Sequence, residues 1–228
     1  MTNNTMSAEK ERISQGYDKV ASRIKMSDAF YNRCIAMYNS YAGKNILDVG
    51  CGQGLLLQKV HEKAPDATFS GVDISSVLVE MSKKNNPYAT IAQGDAENLP
   101  FEDGKFDVIF MTEALEHMLD HNKAVAEVSR VLKEDGIFIV TVPNRDWLRF
   151  DFYEKMSESW QPVDDHFFRF EEIKGILLAN KLEIVKYKGS DNLYYYGTLH
   201  KFEQVIAFFL PFLYKKMKRI MFVCKAVK

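Results

Sequence analysis

A chain of 228 residues, 46% hydrophobic and 27% charged, carries enough apolar surface for one domain with a large core. A formal net charge of −1 excludes the strongly basic balance of a protein that binds nucleic acid through charge alone. The three cysteines, Cys34, Cys51 and Cys224, stand far apart in no paired spacing, which argues against a disulfide framework or a cysteine-based zinc site and fits a reducing compartment.

The polar start, "MTNNTMSAEKERISQ", lacks the apolar core of a signal peptide. Helical spacing of Ile13, Tyr17, Val20, Ala21 and Ile24 predicts a helix over Ala8–Lys25, and a second is expected over Asp28–Tyr41. After Gly43 the pattern turns to strand, turn, helix. Strands are expected at Asn45–Val49, Thr68–Val72, Ala89–Gln93, Phe106–Met111 and Gly136–Val142. Helices are expected at Leu55–Ala64, Ser75–Asn85 and Asn122–Lys133. Such alternation with fully apolar strands predicts a parallel sheet covered on both faces. A helix at Phe170–Asn180 then leads into a strand at Leu182–Lys188, and "RIMFVCKAV" at the end reads as one more strand. Between these two lies an aromatic-rich insertion, Gly189–Lys218. Its longest apolar run, Val205–Leu213, is too short to span a bilayer. The expected location is the cytoplasm.

The first glycine turn, "DVGCGQG", decides what the sheet is for. Ligands of an open parallel sheet sit beyond the strand ends near the topological switch point. A dinucleotide fingerprint would continue Gly50 and Gly52 with a third glycine where Leu55 stands. Asp48, two residues before the turn, would repel a pyrophosphate and attract a cation. The turn therefore suits a ligand with a ribose and a positive charge but no phosphate, as in S-adenosylmethionine.

Here the residues resemble a family. "LDVGCGQG" (Leu47–Gly54) looks like the first motif of the class I S-adenosylmethionine-dependent methyltransferases, the small-molecule and quinone-precursor type. "GVDIS" (Gly71–Ser75), "QGDAENLPF" (Gln93–Phe101), "FDVIFMTEALEHM" (Phe106–Met118) and "LKEDGIFIVTVPN" (Leu132–Asn144) match the following stations in order. The resemblance implies an α/β three-layer sandwich around a mostly parallel seven-stranded sheet, the Rossmann-like methyltransferase fold. It also implies one domain: a helical lid over 1–42, a cofactor-binding core over 43–188, the insertion over 189–219 and a last strand over 220–228. The implied cofactor is S-adenosylmethionine. Its implied contacts are Asp48, Gly50, Cys51, Gly52, Gly54, Asp73, Ile74, Asp95, Ala96 and Met111, with Asp73 on the ribose hydroxyls and Asp95 on the adenine amino group. Tyr17, in "GYDKVASRI", is either a lid contact or a core-packing tyrosine.

Methyl transfer to an activated carbon needs alignment, and a base only where the acceptor carries a proton. His117 and His166 are the catalytic candidates. The alternatives are a histidine capping a turn for His117 and a partly exposed loop histidine for His166. His61, His121 and His200 read as surface residues. Glu113, Glu116, His117 and His166 also resemble the set that holds a divalent metal in methyltransferases acting on vicinal oxygens. The alternative is a metal-free site in which Glu113 faces the cofactor and Glu116 lies on a solvated turn. Met111-Thr112-Glu113-Ala114 stands where methyltransferases of nucleobase amines carry an acid/Asn-Pro-Pro-aromatic motif. The expected acceptor is thus a small molecule, methylated on an oxygen, apolar or lipid-like in body, with no nucleic acid as partner. An RNA or other macromolecule methyltransferase, or a non-catalytic S-adenosylmethionine-binding protein, is the alternative function. Between Lys201 and Lys228 the chain carries a charge of +6, against −7 for the rest. That tail and the aromatics of "NLYYYG" either contact an anionic membrane surface or belong to an ordinary core.

Overall fold

The computed structural model describes residues 7–24, 26–147, 165–190 and 211–227. The insertion aromatics at 192–197, His200 and most of the run Val205–Leu213 lie outside them.

Seven strands form one sheet: β1 Asn45–Val49, β2 Thr68–Asp73, β3 Thr90–Gln93, β4 Phe106–Thr112, β5 Leu132–Pro143, β6 Leu182–Ser190 and β7 Arg219–Ala226. Their spatial order is β3-β2-β1-β4-β5-β7-β6. Neighbouring pairs among β1 to β5 are parallel, while β7 runs antiparallel to both β5 and β6. The expected mostly parallel sheet is therefore present, with its one reversed strand at β7. Chain order reverses between β1 and β4, so their carboxyl ends open the crevice in which such sheets bind ligands.

The helices are α1 Ala8–Val20, α2 Asp28–Ile35, α3 Leu55–Lys63, α4 Ser76–Asn85, α5 His121–Val131 and α6 Phe170–Ala179. They cover both faces of the sheet because the central strands bury both sets of side chains. In β4, Ile109 and Met111 join the apolar cluster shared with α5 and α6, while Val108 and Phe110 join the cluster shared with α2 and α3. Cys34, Cys51 and Cys224 are free and buried. Among the described residues no helix is long and apolar enough to cross a membrane.

Three boundaries differ from expectation by four residues or more, each for a tertiary reason. The first helix stops at Val20 and tightens into one turn, Ala21–Arg23, because Gln53 Nε2 donates to the carbonyls of Ala21 and Ile24 (3.0 and 3.1 Å). The second stops at Ile35, whose carbonyl accepts from the Tyr41 hydroxyl at 2.8 Å while Met37 and Tyr41 turn into the core. β5 begins at Leu132 rather than Gly136, because Leu132 already pairs with Phe106 before a shift in register.

α1 closes over the carboxyl edge of β2 and β3. Its Asp18 carboxylate accepts from the hydroxyls of Ser75 and Ser76 and from the Val77 N–H, capping α4 from outside. Ser14 donates to the Ile74 carbonyl at 2.7 Å. Lys10 pairs with Asp95 and, at 2.7 Å, with Glu97.

Candidate active site

A cavity of about 330 Å³ opens at the carboxyl edge, roofed by Lys10, Ile13 and Tyr17 of α1. Its floor is the glycine turn after β1. Gly50 has φ +71°, and a Cβ there would lie 2.6 Å from the Ala114 Cβ, so only glycine lets the turns after β1 and β4 approach this closely. Gly52 has φ +52° and nothing within 4 Å of its would-be Cβ, so its backbone faces open space. Gly54, the third glycine of the turn, is absent from the lining. A Cβ there would strike Asn86 and Ser82 of the α4 end, so its work is helix packing and not ligand contact.

The acids at the strand ends are held in different ways. Asp73 accepts from the N–H groups of Gly52 (2.8 Å) and Ser75 (2.9 Å). Burial pushes its carboxyl up to about 6, against those hydrogen bonds. Asp48 is buried, its Oδ1 has no hydrogen-bond partner, and burial with Asp73 nearby raises its carboxyl well above the usual range. Asp95 accepts from the Glu97 N–H at 2.9 Å and pairs with Lys10. Cys51, Ile74 and Ala96 line the same end, and burial raises the Cys51 thiol so that it stays neutral. Met111 does not reach the cavity. Its side chain is fully buried on the α5 face of the sheet, and Thr112 and Glu113, one and two residues on, line the cavity instead.

The far end of the cavity is built by the turn after β4. Glu113 takes φ +50°, an uncommon conformation for a residue with a side chain, and its carboxylate binds the Thr141 hydroxyl (2.9 Å) and Arg219. It pins β4 to β5 and β7 rather than reaching toward a ligand. Glu116, expected on a solvated turn, is instead buried at 4% exposure with Oε2 unpartnered; burial, then the Glu113 charge, raises its carboxyl. His117 lies with Nδ1 3.3 Å from the Asp165 carboxylate and Nε2 3.9 Å from Glu116. Its ring meets that of Tyr17 edge-on, centroids 5.8 Å apart. Burial lowers the imidazole to about 4, so it is neutral at ordinary pH.

His166 is not in this cavity. Its Nε2 contacts Glu172 at 2.6 Å, and the ring packs against His121 and Phe168. The candidate metal set is therefore dispersed: Glu113 is committed to Arg219 and His166 to Glu172. Among the described residues no group of three or more His, Cys, Asp or Glu side chains is arranged to hold a metal. His121 and His61 are half-buried rather than surface residues, His61 stacking on Tyr88 at 3.7 Å. Sequence reasoning missed Lys10, Gln53, Glu97 and Asp165. Asp165 stands beside the singled-out His166, and alternation would have put the two side chains on opposite sides.

A family model described as a methyltransferase domain matches residues 47–140, the stretch from the end of β1 through β5 that builds the cavity floor. Residues 47–140 thus carry a methyltransferase domain, and the chain is similar to S-adenosylmethionine-dependent methyltransferases of class I. It is 31% identical over 155 residues to a demethylmenaquinone methyltransferase of Symbiobacterium thermophilum, a match covering 63% of this chain and 62% of the relative. It is 30% identical over 166 residues to a ubiquinone biosynthesis O-methyltransferase of Bartonella tribocorum, covering 68% and 66%. The chain thus spans just under two thirds of the length of these curated relatives. A solved S-adenosylmethionine dependent methyltransferase from Mesorhizobium loti superposes with a TM-score of 0.67 at 16% identity, over 87% of this chain and 98% of that one, and this likeness is one of fold. The methyltransferase fold expected from the motif order is the fold observed.

Proposed function

We propose that this methyltransferase transfers a methyl group from S-adenosylmethionine to a phenolic or enolic oxygen of a small, largely apolar acceptor. The observation that carries the reading is the pair of acids beside the open backbone of Gly52. The Asp73 carboxylate is fixed by two backbone N–H groups, and Asp48 Oδ1 has no partner of its own. A buried carboxylate oxygen without a partner is costly unless a ligand supplies one. The residues fit the cofactor on that ground. Asp73 would accept the ribose hydroxyls, Asp48 would meet the positively charged end, and Asp95 with Ala96 would border the adenine. Gly50, Gly52, Cys51 and Ile74 would form the walls. When bound, the cofactor supplies a methyl carbon already activated for displacement by its sulfonium.

The protein's own work is then to align the acceptor, exclude water and receive a proton. His117, neutral and at the far end of the cavity, would receive it. The acceptor class is supported by the apolar side chains in the cavity lining, among them Trp147 and Phe167, and by the relatives named for demethylmenaquinone and ubiquinone biosynthesis. The basic tail supports delivery of such an acceptor from an anionic membrane surface, a point that co-sedimentation with anionic and neutral vesicles at low and high salt resolves.

The test of the whole reading is titration calorimetry with S-adenosylmethionine and its demethylated product, followed by methyl transfer from labelled cofactor to hydroxylated aromatics with and without an alkyl tail. Binding with turnover of the tailed phenols is expected. Competition by NADH at the same site, or no binding of either cofactor form, overturns it.

A further inference from the structure

The geometry points to Asp165 as the positioning residue of a histidine–aspartate pair: its carboxylate faces His117 Nδ1 at 3.3 Å and favours the proton on that nitrogen, leaving Nε2 to take the proton of the acceptor hydroxyl. This rests on the methyl-transfer reading and adds to it a residue from a separate loop. A neutral imidazole carries one N–H, and the partner of one nitrogen fixes the role of the other. The two nitrogens of His117 have different surroundings. Nδ1 is buried and makes no aligned hydrogen bond, but it faces the negative Asp165 carboxylate at 3.3 Å, whereas Nε2 lies 3.9 Å from Glu116, beyond hydrogen-bond reach. The proton therefore belongs on Nδ1 and the lone pair on Nε2. Burial that keeps the ring neutral keeps that lone pair available. The other titratable groups facing the ring are Tyr17 from α1 and Glu116 from its own turn, and neither approaches Nδ1 as Asp165 does.

The backbone around Asp165 is built to hold it there. The next residue donates its N–H to the Glu116 carbonyl at 3.1 Å, tying this segment directly to the turn that carries His117. Phe168 is fully buried, donates to the Pro143 carbonyl at 3.1 Å, and accepts from the Arg145 N–H at 2.9 Å. The segment is thus pinned at two points, one to the end of β5 and one to Glu116. In the step itself the acceptor oxygen bonds to the methyl carbon and the carbon–sulfur bond breaks, its electron pair staying on sulfur. The hydroxyl proton passes to Nε2, and the imidazolium so formed is stabilised by the Asp165 carboxylate.

The test reads the ring before it reads the reaction. Nitrogen-15 NMR of histidine-labelled protein without ligand, with His117 assigned by the signal lost in His117→Gln, is expected to show the Nδ1–H form. Asp165→Ala should shift that signal toward the Nε2–H form and lower kcat while leaving the Kd for S-adenosylmethionine within about twofold. His117→Gln should lower kcat on the order of a hundredfold, and Asp165→Glu should recover part of the loss seen with Ala. Circular dichroism on each variant establishes folding. A wild-type His117 in the Nε2–H form, or one whose tautomer ignores Asp165→Ala, overturns the pair even where cofactor binding stands. Absence of cofactor binding overturns the methyl-transfer reading instead, whatever the tautomer.

Discussion

The two ends of the cavity solve opposite problems. At the glycine-turn end, Asp73 and Asp95 are held by backbone N–H groups and by Lys10, at the end of β2 and just past the end of β3. At the far end the side chains come from α1, from the turn after β4 and from the segment before α6, and Glu116 Oε2 is left without a partner. The first end is a local product of strand, turn and helix. The second exists only once separate parts of the chain have packed. A site whose donor is constant and whose acceptor varies would be divided in this way, with rigidity under the cofactor and an assembled, changeable wall under the acceptor.

The comparison breaks most severely at Gly50. Gly50→Ala meets both a left-handed backbone and the Ala114 Cβ 2.6 Å away. Together these are expected to cost about 2–5 kcal/mol of stability and to abolish cofactor binding. Urea denaturation and calorimetry check both. If Gly50→Ala is as stable as wild type, the turn is not the rigid member of the pair.

Lys10→Met removes the cation that α1 places between Asp95 and Glu97, all three side chains being largely buried. Breaking a buried pair from one side costs about 3 kcal/mol or more. Urea denaturation should show that loss, together with faster proteolysis of α1. An unchanged midpoint would mean that Ser14 and Asp18 hold α1 without it.

Asp73→Ala removes hydrogen bonds to a charged acceptor, expected to weaken cofactor binding by about 1.5–3 kcal/mol, roughly ten- to a hundredfold. The same residue sets a pH signature. Its carboxyl titrates at about 6 in the fold against an ordinary 3.8, so the folded state holds the proton more tightly than the unfolded chain. As pH falls from above 6 toward 4, this group's contribution to the stability of the ligand-free protein increases. Over the same window the carboxylate that would bind ribose is lost, so affinity should fall as stability rises. Comparing wild type with Asp73→Asn at pH 7.5 and 5.5, by calorimetry and by thermal unfolding, isolates the effect. Affinity independent of pH across this window would remove Asp73 from the ribose.

What the sequence made legible follows the same division. β1 was placed to the residue and β2 and β4 to within one, because apolar runs bounded by glycine and acid are local signals. Asp48, Asp73 and Asp95 stand out in the sequence because each marks the carboxyl end of an apolar strand, Asp48 and Asp73 within β1 and β2 and Asp95 two residues past β3. Met111 was misplaced by one residue of parity, since alternation along β4 sends Met111 to the core and Thr112 toward the cavity. Asp165 was not legible at all: 48 positions separate it from His117, and only the packing of Phe168 against the end of β5 brings it there. The ends of α1 and α2 were overrun because the hydrogen bonds that stop them come from Gln53 and Tyr41, not from capping residues in the helices themselves.

The smallest effect is expected at His166, and it is the sharpest probe of how the far end is assembled. As a catalytic residue it would be as sensitive as His117. In the fold its ring instead lies against Phe168 and His121, and its Nε2 pairs with a half-exposed Glu172, the His166 side chain itself being 42% exposed. An exposed pair of this kind contributes less than about 1 kcal/mol. The part of His166 that matters for the cavity is its backbone N–H, which holds the segment to the Glu116 carbonyl and is unchanged by a side-chain substitution. His166→Ala should therefore leave cofactor affinity and the His117 tautomer as in wild type and reduce turnover less than twofold. His166→Pro, which deletes that N–H, should shift the tautomer as Asp165→Ala does. Loss of turnover in His166→Ala equal to that in His117→Gln would place the ring, and not the backbone, in the site, and the division between the two ends would have to be redrawn around it.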